Sequence, residues 1–194
     1  DINNLTTGTI TLNDYTVALA GSSSDLATAL SGSFASSYTG NVTITDNHTL
    51  TQLKAINNAT TGTITLNDYT VALAGTTAAV AAALSGTFAS SYTGNVTVSD
   101  THTVNQLKTI NNGTTGAITL NNYAVALTGT TANVKAALTG TFAAAYTGNV
   151  TLNDANGTSV AATDISTIAG DTSGTVTVSN NINITGTVAA VATA

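Results

Sequence analysis

Aspartate recurs at a fixed spacing along the chain, in positions that could bind a metal ion. Asp46, Asp100 and Asp154 are evenly spaced, and each follows a short run of alternating apolar residues. A column of carboxylates could bind Ca²⁺, which prefers several oxygen ligands. The other interpretation is that each aspartate closes a turn or caps a helix. We favour the second and predict no cofactor, because the chain has no glutamate and no GGxGxD calcium-binding motif.

Histidine recurs with the same spacing but in two positions only. His48 and His102 are equivalent, whereas the third position falls near Asn156 and Gly157. A two-histidine metal site is one interpretation, and solvated corner residues are the one we favour. Serine, histidine and aspartate also supply the residue types of a hydrolytic triad. No spacing places them as nucleophile, base and orienting group, so we do not predict an enzyme.

Three tyrosines at equivalent positions form a candidate binding face. If they are exposed, their rings could stack on sugars, which would indicate a glycan-binding module. The alternative, which we favour, is that they pack against a corner of the chain. The three residues are Tyr15, Tyr69 and Tyr123.

Threonine pairs suggest a second candidate face. Tripeptides such as Thr9-Ile10-Thr11 would place rows of hydroxyl and methyl groups on a flat sheet, similar to the ice-binding face of some β-solenoid antifreeze proteins. Threonine is also a common solvent-facing residue of strands. Ice binding is the less favoured interpretation, because asparagine opens the alternate strands. These asparagines are Asn41, Asn95 and Asn149.

The composition excludes several classes of partner. Charged residues make up only 6% of the chain, against about 25% in an ordinary soluble domain. Three lysines and nine aspartates give a net charge of −6, which cannot neutralise a run of phosphates, so we predict no nucleic-acid partner. The chain contains no stretch of eighteen apolar residues, so we predict no membrane span. The absence of cysteine and methionine fits an oxidising extracellular environment.

The candidate residues all lie on a sequence repeat with a constant step. The sequence from Gly8 to Tyr15 returns at 62–69 and again at 116–123. Such periodicity is typical of stacked, quasi-one-dimensional proteins. We predict a single repeat domain over 1–194. Its units are 8–61, 62–115 and 116–173, and 174–194 forms a C-terminal β cap or an assembly strand.

Each unit divides into a longer coil and a shorter coil, which begin at Gly8 and Gly40 in the first unit. Both coils open with threonine alternating with β-branched or leucine residues, which predicts a strand. A further strand is predicted over 15–19. The seven coil-opening strands carry Ile10/Leu12, Val42/Ile44, Ile64/Leu66, Val96/Val98, Ile118/Leu120, Val150/Leu152 and Val176/Val178.

A helix is predicted in every coil. In the longer coil Leu26, Leu30, Phe34 and Tyr38 are regularly spaced at helical intervals, with Asp25 as the predicted capping residue. In the second unit Thr76 and Thr77 take the capping role. In the shorter coils the pairs Thr49/Gln52 and Thr103/Gln106 are capping boxes. Because strands joined by helical crossovers pair in parallel, we predict an α/β solenoid with a parallel sheet on one side and short helices packed beside it.

The C-terminal segment departs from this scheme. The last short coil, from Gly148 to Gly174, is longer than its counterparts and contains a small insertion. Beyond it, residues 175–185 alternate again and predict either a hairpin or a strand offered to a neighbouring molecule. The candidate assembly residues are Val176, Val178, Ile182 and Ile184.

Residues 100–120 resemble the Thr/Ala-rich repeats of giant bacterial cell-surface and adhesin-type proteins, as found in cyanobacteria. The pattern is Asp-x-His-Thr-Val-x-Gln-Leu-x-x-Ile-Asn, followed by Thr-Thr-Gly-x-Ile-Thr-Leu. The resemblance implies a secreted, extracellular role. We therefore expect a structural subunit of a filament, sheath or surface layer that associates head to tail through its open ends. An adhesin stalk or glycan-binding module is the alternative, and ice binding is less favoured.

Overall fold

The computed structural model describes residues 2–192, which form a mixed α/β structure of short parallel sheets and eight helices with no closed barrel. The strands are β1 (Leu19–Gly21), β2 (Val42–Ile44), β3 (Ile64–Thr65), β4 (Leu73–Gly75), β5 (Val96–Val98), β6 (Ile118–Thr119), β7 (Leu127–Gly129), β8 (Val150–Leu152), β9 (Ser159–Ala161), β10 (Val176–Val178) and β11 (Asn183–Thr185). The helices are α1 (Ile2–Leu5), α2 (Ser23–Ala29), α3 (Leu50–Ala59), α4 (Thr77–Leu84), α5 (Val104–Gly113), α6 (Thr131–Leu138), α7 (Ala162–Asp171) and α8 (Val188–Ala192).

Strand pairing is parallel throughout the described sheets. The strand orders are β1-β2-β3, β4-β5-β6, β7-β8-β10 and β9-β11. In the first sheet Leu19 pairs with Val42, which in turn pairs with Ile64. A parallel bridge between Ile64 and Phe88 continues the same ladder. Because paired strands in parallel need a long crossover, each connection contains a helix or a wide loop.

The helices lie beside the sheets, and each contacts the next helix along the chain. Helices α3, α4, α5 and α6 begin at evenly spaced positions, namely Leu50, Thr77, Val104 and Thr131. The buried core lies between the helices and the inward faces of the strands. Its fully buried members include Ile44, Leu53, Ile64, Leu73, Leu107 and Ile118.

Local capping chemistry explains where the helices start. Both predicted capping boxes are present, at the N-termini of α3 and α5. Thr76 caps α4 as predicted, because its hydroxyl accepts a hydrogen bond from the Ala79 N–H. Asp25 does not cap α2: the Ser22 hydroxyl does so, and Asp25 lies in the first turn.

The predicted helix over Leu26 to Tyr38 is too long. Helix α2 ends at Ala29, and Phe34 instead forms a parallel bridge with Ile10. The second unit behaves in the same way, since α4 ends at Leu84. Small and flexible residues follow each of these helices, in the sequences Ser-Gly-Ser at 31–33 and Ser-Gly-Thr at 85–87. Glycine and serine favour helix termination over continuation, so the regular spacing beyond them does not form a helix.

Two strand predictions also need correction. The strand predicted over 15–19 begins at Leu19 and ends at Gly21, because Tyr15 lies in a corner and not in a sheet. At the predicted strand with Ile10 and Leu12, the structure contains an isolated bridge of Ile10 in place of a strand. The other six coil-opening strands are present as β2, β3, β5, β6, β8 and β10.

The C-terminal segment does not form a hairpin. β10 pairs in parallel with β8, and β11 pairs in parallel with β9, so the two strands do not pair with each other. The predicted insertion contains Gly157, whose φ of +78° favours glycine, and it is followed by the additional strand β9. Helix α7 after it has Ala161 at its N-cap and lacks a side-chain cap.

Candidate functional site

The structure corrects the prediction that the two histidines are solvated corner residues. His48 is 3% exposed and His102 is 5% exposed. The Nε2 atom of His48 lies 3.2 Å from the Tyr92 hydroxyl, and that of His102 lies 3.0 Å from the Tyr146 hydroxyl. Each histidine is 44 residues before its tyrosine, so each pair links one coil-length segment to the next along the chain.

The tyrosine hydroxyls determine which protonation state the histidines need. Tyr92 donates its hydroxyl proton to the Val71 carbonyl oxygen at 2.6 Å, and Tyr146 donates to Val125 at 2.5 Å. The hydroxyl oxygens therefore accept from the Nε2–H of the histidines. The Nδ1 atoms of both histidines are buried without a hydrogen-bond partner in the described chain. A second proton on Nδ1 would be a buried donor with no acceptor.

Burial shifts the titration of these groups. Burial lowers the pKa of His48, against the opposing charges of Asp68 and Asp46. Burial also lowers the pKa of His102, against the charge of Asp100. The pKa values of both tyrosines are raised, because burial disfavours the phenolate. The two pairs are therefore neutral at physiological pH and connect the coils by uncharged hydrogen bonds.

Glycine makes room for these tyrosines. The Tyr92 hydroxyl reaches Val71 directly beside Gly94. A Cβ atom on Gly94 would overlap the Val71 carbonyl oxygen, which is backbone and cannot rotate away. The Gly that opens each shorter coil is thus required by the close approach of a neighbouring coil and not by a positive φ.

The three aspartates that were candidate metal ligands each bond to the start of a helix. Asp46 accepts from the Ser23 N–H at 2.7 Å. Asp100 accepts from the N–H and the hydroxyl of Thr77, both at 2.6 Å, and these bonds lower its pKa. Asp154 bonds to Thr131 in the same way. Each carboxylate accepts a hydrogen bond from a backbone N–H at the start of the helix that begins 23 residues earlier. The N-terminus of a helix is a favourable site for a negative charge.

The three equivalent tyrosines lie at corners of the chain. The hydroxyls of Tyr15, Tyr69 and Tyr123 accept hydrogen bonds from the backbone N–H three residues earlier. Their rings are partly buried against the core. Each tyrosine hydroxyl is therefore bonded within its own turn, and each ring packs against the core as the favoured interpretation predicted.

Threonines of neighbouring strands are in register on the outer face. Thr43 pairs with Thr65, and Thr97 pairs with Thr119. The asparagines that interrupt the threonine rows have a separate structural role. Their side-chain oxygens accept from the backbone N–H of the next coil, as Asn41 does from Thr63 and Asn95 from Ala117, both at 2.9 Å.

An open, mainly apolar cleft of about 530 Å³ lies beside helix α1 and strand β1. We name it the N-terminal cleft, and its walls include Ile2, Ile10, Leu12, Val17, Leu19 and Phe34. Val17 is 52% exposed. The residues equivalent to Ile10 and Leu19 in the second unit, Ile64 and Leu73, are fully buried.

The predicted assembly residues lie in the last segment that the structure describes. We name residues 174–192 the C-terminal coil, which contains β10, β11 and α8 and has no charged side chain. Val178 and Ile184 are 38% and 44% exposed. Val176 and Ile182 are half-buried and pack against the core. β10 and β11 each lie at the end of their sheets.

Sequence reasoning singled out the aspartates, the histidines and three of the tyrosines as candidates, but it missed the histidine–tyrosine pairs. One signal was available: the spacing between His48 and Tyr92 recurs unchanged between His102 and Tyr146. Within residues 2–192 no group of three or more His, Cys, Asp or Glu side chains is arranged to hold a metal ion. In the same range no helix has the length and hydrophobicity to cross a bilayer.

Comparisons with known proteins give no match for this chain. No family model matches it, and no curated protein and no solved structure is significantly similar to it.

Proposed function

We propose that the chain is an α/β solenoid that acts as a structural subunit of an extracellular filament, sheath or surface layer. Parallel pairing of strands one coil apart supports the solenoid, as do contacts between successive helices. In such an architecture each coil buries its apolar face against its neighbours, so a coil without a neighbour exposes apolar surface.

The observation that carries the proposed function is the character of the two ends. The N-terminal cleft exposes apolar walls, and the C-terminal coil exposes Val178 and Ile184 beside two sheet-edge strands. Exposed strand edges normally carry charge or proline that prevents pairing with other molecules. The C-terminal coil has neither. Unlike surfaces at opposite ends make a heterologous contact, which generates an open filament.

The extracellular setting rests on composition and resemblance. Absence of cysteine and methionine removes the side chains most readily oxidised outside the cell. The likeness of residues 100–120 to the Thr/Ala-rich repeats of bacterial cell-surface proteins supports the same placement. The buried histidines and the helix-bound aspartates have structural partners, which supports a structural role over a catalytic one.

Sedimentation velocity and negative-stain microscopy over a range of protein concentrations test this proposal. We expect linear polymers, and we expect the double variant Val178→Lys/Ile184→Lys to remain monomeric because lysine charges block the edge strands. The control variant Thr97→Lys/Thr119→Lys adds the same charge to exposed interior positions and is expected to polymerise normally. A parent chain that stays monomeric at every concentration would disprove the proposal.

A further inference from the structure

We propose that two equivalent grooves, one in each of the first two sequence units, bind an uncharged polysaccharide. The first groove lies between residues 30–38 and the end of α3, and its volume is about 640 Å³. The second groove lies between residues 84–92 and the end of α5, and its volume is about 690 Å³. This inference does not rest on the proposed assembly.

The two grooves repeat with the sequence. Both are lined by the five-residue sequence Phe-Ala-Ser-Ser-Tyr, at 34–38 in the first groove and at 88–92 in the second. Both are also lined by an asparagine near the end of the following helix, Asn58 or Asn112. A ligand that binds one groove therefore finds the same side chains in the other.

Each groove contains exposed polar side chains that the described chain does not use. In the second groove these are Ser90, Ser91 and Asn112, which are all exposed. Their hydroxyl and amide groups make no hydrogen bond to any residue in 2–192. The equivalent side chains of the first groove are free and exposed in the same way. Serine hydroxyls and asparagine amides both donate and accept hydrogen bonds, as sugar hydroxyls do.

A phenylalanine ring adds an apolar surface to each groove. Phe88 is half-buried and packs against the core, and its ring centroid lies 6.0 Å from that of Tyr92. Tyr92 is itself held by hydrogen bonds to His48 and Val71. The exposed part of a ring in a fixed position offers an apolar surface to the C–H groups of a sugar. Phe34 is also half-buried and lines the first groove.

Charge and volume limit the class of ligand. Among the described residues that line these two grooves, none is charged. An anionic polysaccharide would find no cation there, and the net charge of −6 on the chain would repel it. Small-molecule sites have volumes of about 300–1,000 Å³, so each groove has room for a short stretch of a sugar chain. Free hydroxyl and amide groups beside an aromatic ring therefore favour an uncharged sugar over other ligands.

The third sequence unit lacks these polar groups. Residues 142–146 read Phe-Ala-Ala-Ala-Tyr, so Ala144 and Ala145 replace the two serines. Asp171 replaces Ala59 and Gly113, because all three directly precede the C-cap threonine of their helices. We therefore expect two binding sites in the first two units and none in the third.

NMR chemical-shift titration with four uncharged hexasaccharides tests the proposal. The probes are the hexasaccharides of glucose, N-acetylglucosamine, mannose and galactose. We expect at least one to bind with a dissociation constant of about 1 mM or below and to shift the signals of both grooves. The anionic hexasaccharide of galacturonic acid and an uncharged hexapeptide of serine and alanine should bind at least about tenfold more weakly. Absence of binding by all four sugars, or equal binding of the anion or the peptide, would overturn the proposal.

These measurements use the Val178→Lys/Ile184→Lys variant, whose substitutions lie outside both grooves. Assembly then does not broaden the signals, and sugar binding is tested separately from polymerisation. A parent chain that does not polymerise would disprove the filament and leave sugar binding in place. Polymers of a parent chain whose variant binds no sugar would support only the filament.

Substitution of the serines tests their role without changing the core. The variant gives both grooves the Ala-Ala sequence that the chain already has at 144–145, so we expect it to fold, which circular dichroism checks. Loss of two hydroxyls from each groove should weaken sugar binding about tenfold. The changes are Ser36→Ala, Ser37→Ala, Ser90→Ala and Ser91→Ala.

A matched control removes four exposed hydroxyls that line neither groove, and it should bind sugar as the parent does. Its changes are Thr43→Ala, Thr65→Ala, Thr97→Ala and Thr119→Ala. Equal weakening in the serine variant and the control, or no weakening in the serine variant, would contradict the assignment of the grooves.

A gain of binding provides the sharpest test. The variant Ala144→Ser/Ala145→Ser/Asp171→Gly gives the third unit the side chains of the second groove. We expect the number of bound hexasaccharides per chain to increase from two to three. A merely structural role of the serines would leave this number unchanged, so an unchanged number would contradict the proposal.

Discussion

Residues 8–40 and 62–94 have nearly the same sequence but differ in burial. Both begin with the same eight residues, and both contain a helix capped by a hydroxyl side chain. In the later segment the apolar residues of the opening strand and of the sheet are buried, whereas in the earlier segment the equivalents are partly exposed. The equivalent pairs are Ile64 and Ile10, Leu66 and Leu12, and Leu73 and Leu19.

The neighbouring coil causes this difference. Residues 40–61, which contain β2 and α3, lie against the later segment. The earlier segment packs against residues 40–61 on its other side, through β1 and α2, but among the described residues only the short helix α1 precedes it. The turns and helix caps of both segments therefore form from local sequence, whereas the additional burial of the later segment comes from residues 40–61, which precede it. Equivalent substitutions in the two segments can separate the contribution of local structure from that of burial.

The largest difference is expected for core truncations at equivalent positions. Ile64 is 0% exposed, so Ile64→Ala should lower the free energy of unfolding by about 2–5 kcal/mol. Ile10→Ala should cost less than half as much in dilute protein, because Ile10 is already partly exposed to water. Chemical denaturation of both variants at low concentration measures the two costs. Equal costs would show that the covering coil does not determine burial.

The tyrosine network should give the next largest difference. Tyr92→Phe leaves the buried Nε2–H of His48 without an acceptor and should cost about 1–3 kcal/mol. Tyr38→Phe removes one hydrogen bond to Val17, whose surroundings are open to water, and should cost about 1 kcal/mol or less. Denaturant unfolding of the two variants provides the comparison. A larger cost for Tyr38→Phe would contradict the assigned role of the histidine.

Stability should depend on pH through the interior histidines. Burial gives His48 and His102 lower pKa values in the folded chain than the ordinary 6.5, so the unfolded chain binds more protons below that pH. The free energy of unfolding should be greatest above pH 6.5 and decrease as the pH falls towards the lower folded values. Hydrogen exchange should accelerate near Tyr92 and Tyr146 and not near Tyr38.

The variant His48→Gln/His102→Gln keeps an N–H donor at each site without a titrating ring, so it should lose the decrease in stability that the histidines cause at low pH. Burial raises the pKa of Asp171, so this carboxyl keeps the opposite dependence in both chains, with stability lost as the pH rises through its folded pKa. Asp14, Asp68 and Asp100 do not interfere, since hydrogen bonds lower their pKa values below 3.8 and they titrate in a more acidic range. An unchanged pH dependence in the double variant would refute the histidine assignment.

The smallest difference is expected for the helix caps, which are local. Ser22→Ala and Thr76→Ala each remove one side-chain acceptor from the first turn of a helix. Each should cost about 1 kcal/mol, and the two costs should be similar. Hydrogen exchange of α2 and α4 measures them separately. A large difference would mean that capping also depends on the covering coil.

The same division explains which features the sequence could predict. Threonine alternating with β-branched residues identified β2, β5 and β8, and the capping boxes identified the starts of α3 and α5. These features depend on neighbouring residues along the chain. Parallel pairing also followed from the order of strands and helices.

The features that sequence reasoning missed are contacts between coils. Phe34 and Tyr38 continue a helical spacing, but contacts with Ile10 and Val17 hold them in extended segments. The histidines were judged by their polarity, although a tyrosine 44 residues later provides the partner that permits burial. The aspartates were interpreted as turn or helix-capping residues, whereas Asp46 and Asp100 bond to the first residue of a helix that begins 23 residues earlier and is capped by another side chain.

The claim that the covering segment determines burial is tested most directly by hydrogen exchange. The exchange of residues 8–21 is compared with that of residues 62–75 over a range of protein concentrations. In dilute protein we predict faster exchange in the first segment, because among the described residues only the short helix α1 precedes it. As molecules join end to end, its protection should increase until it approaches that of the second segment. Protection of residues 8–21 that stays low at every concentration would contradict the account.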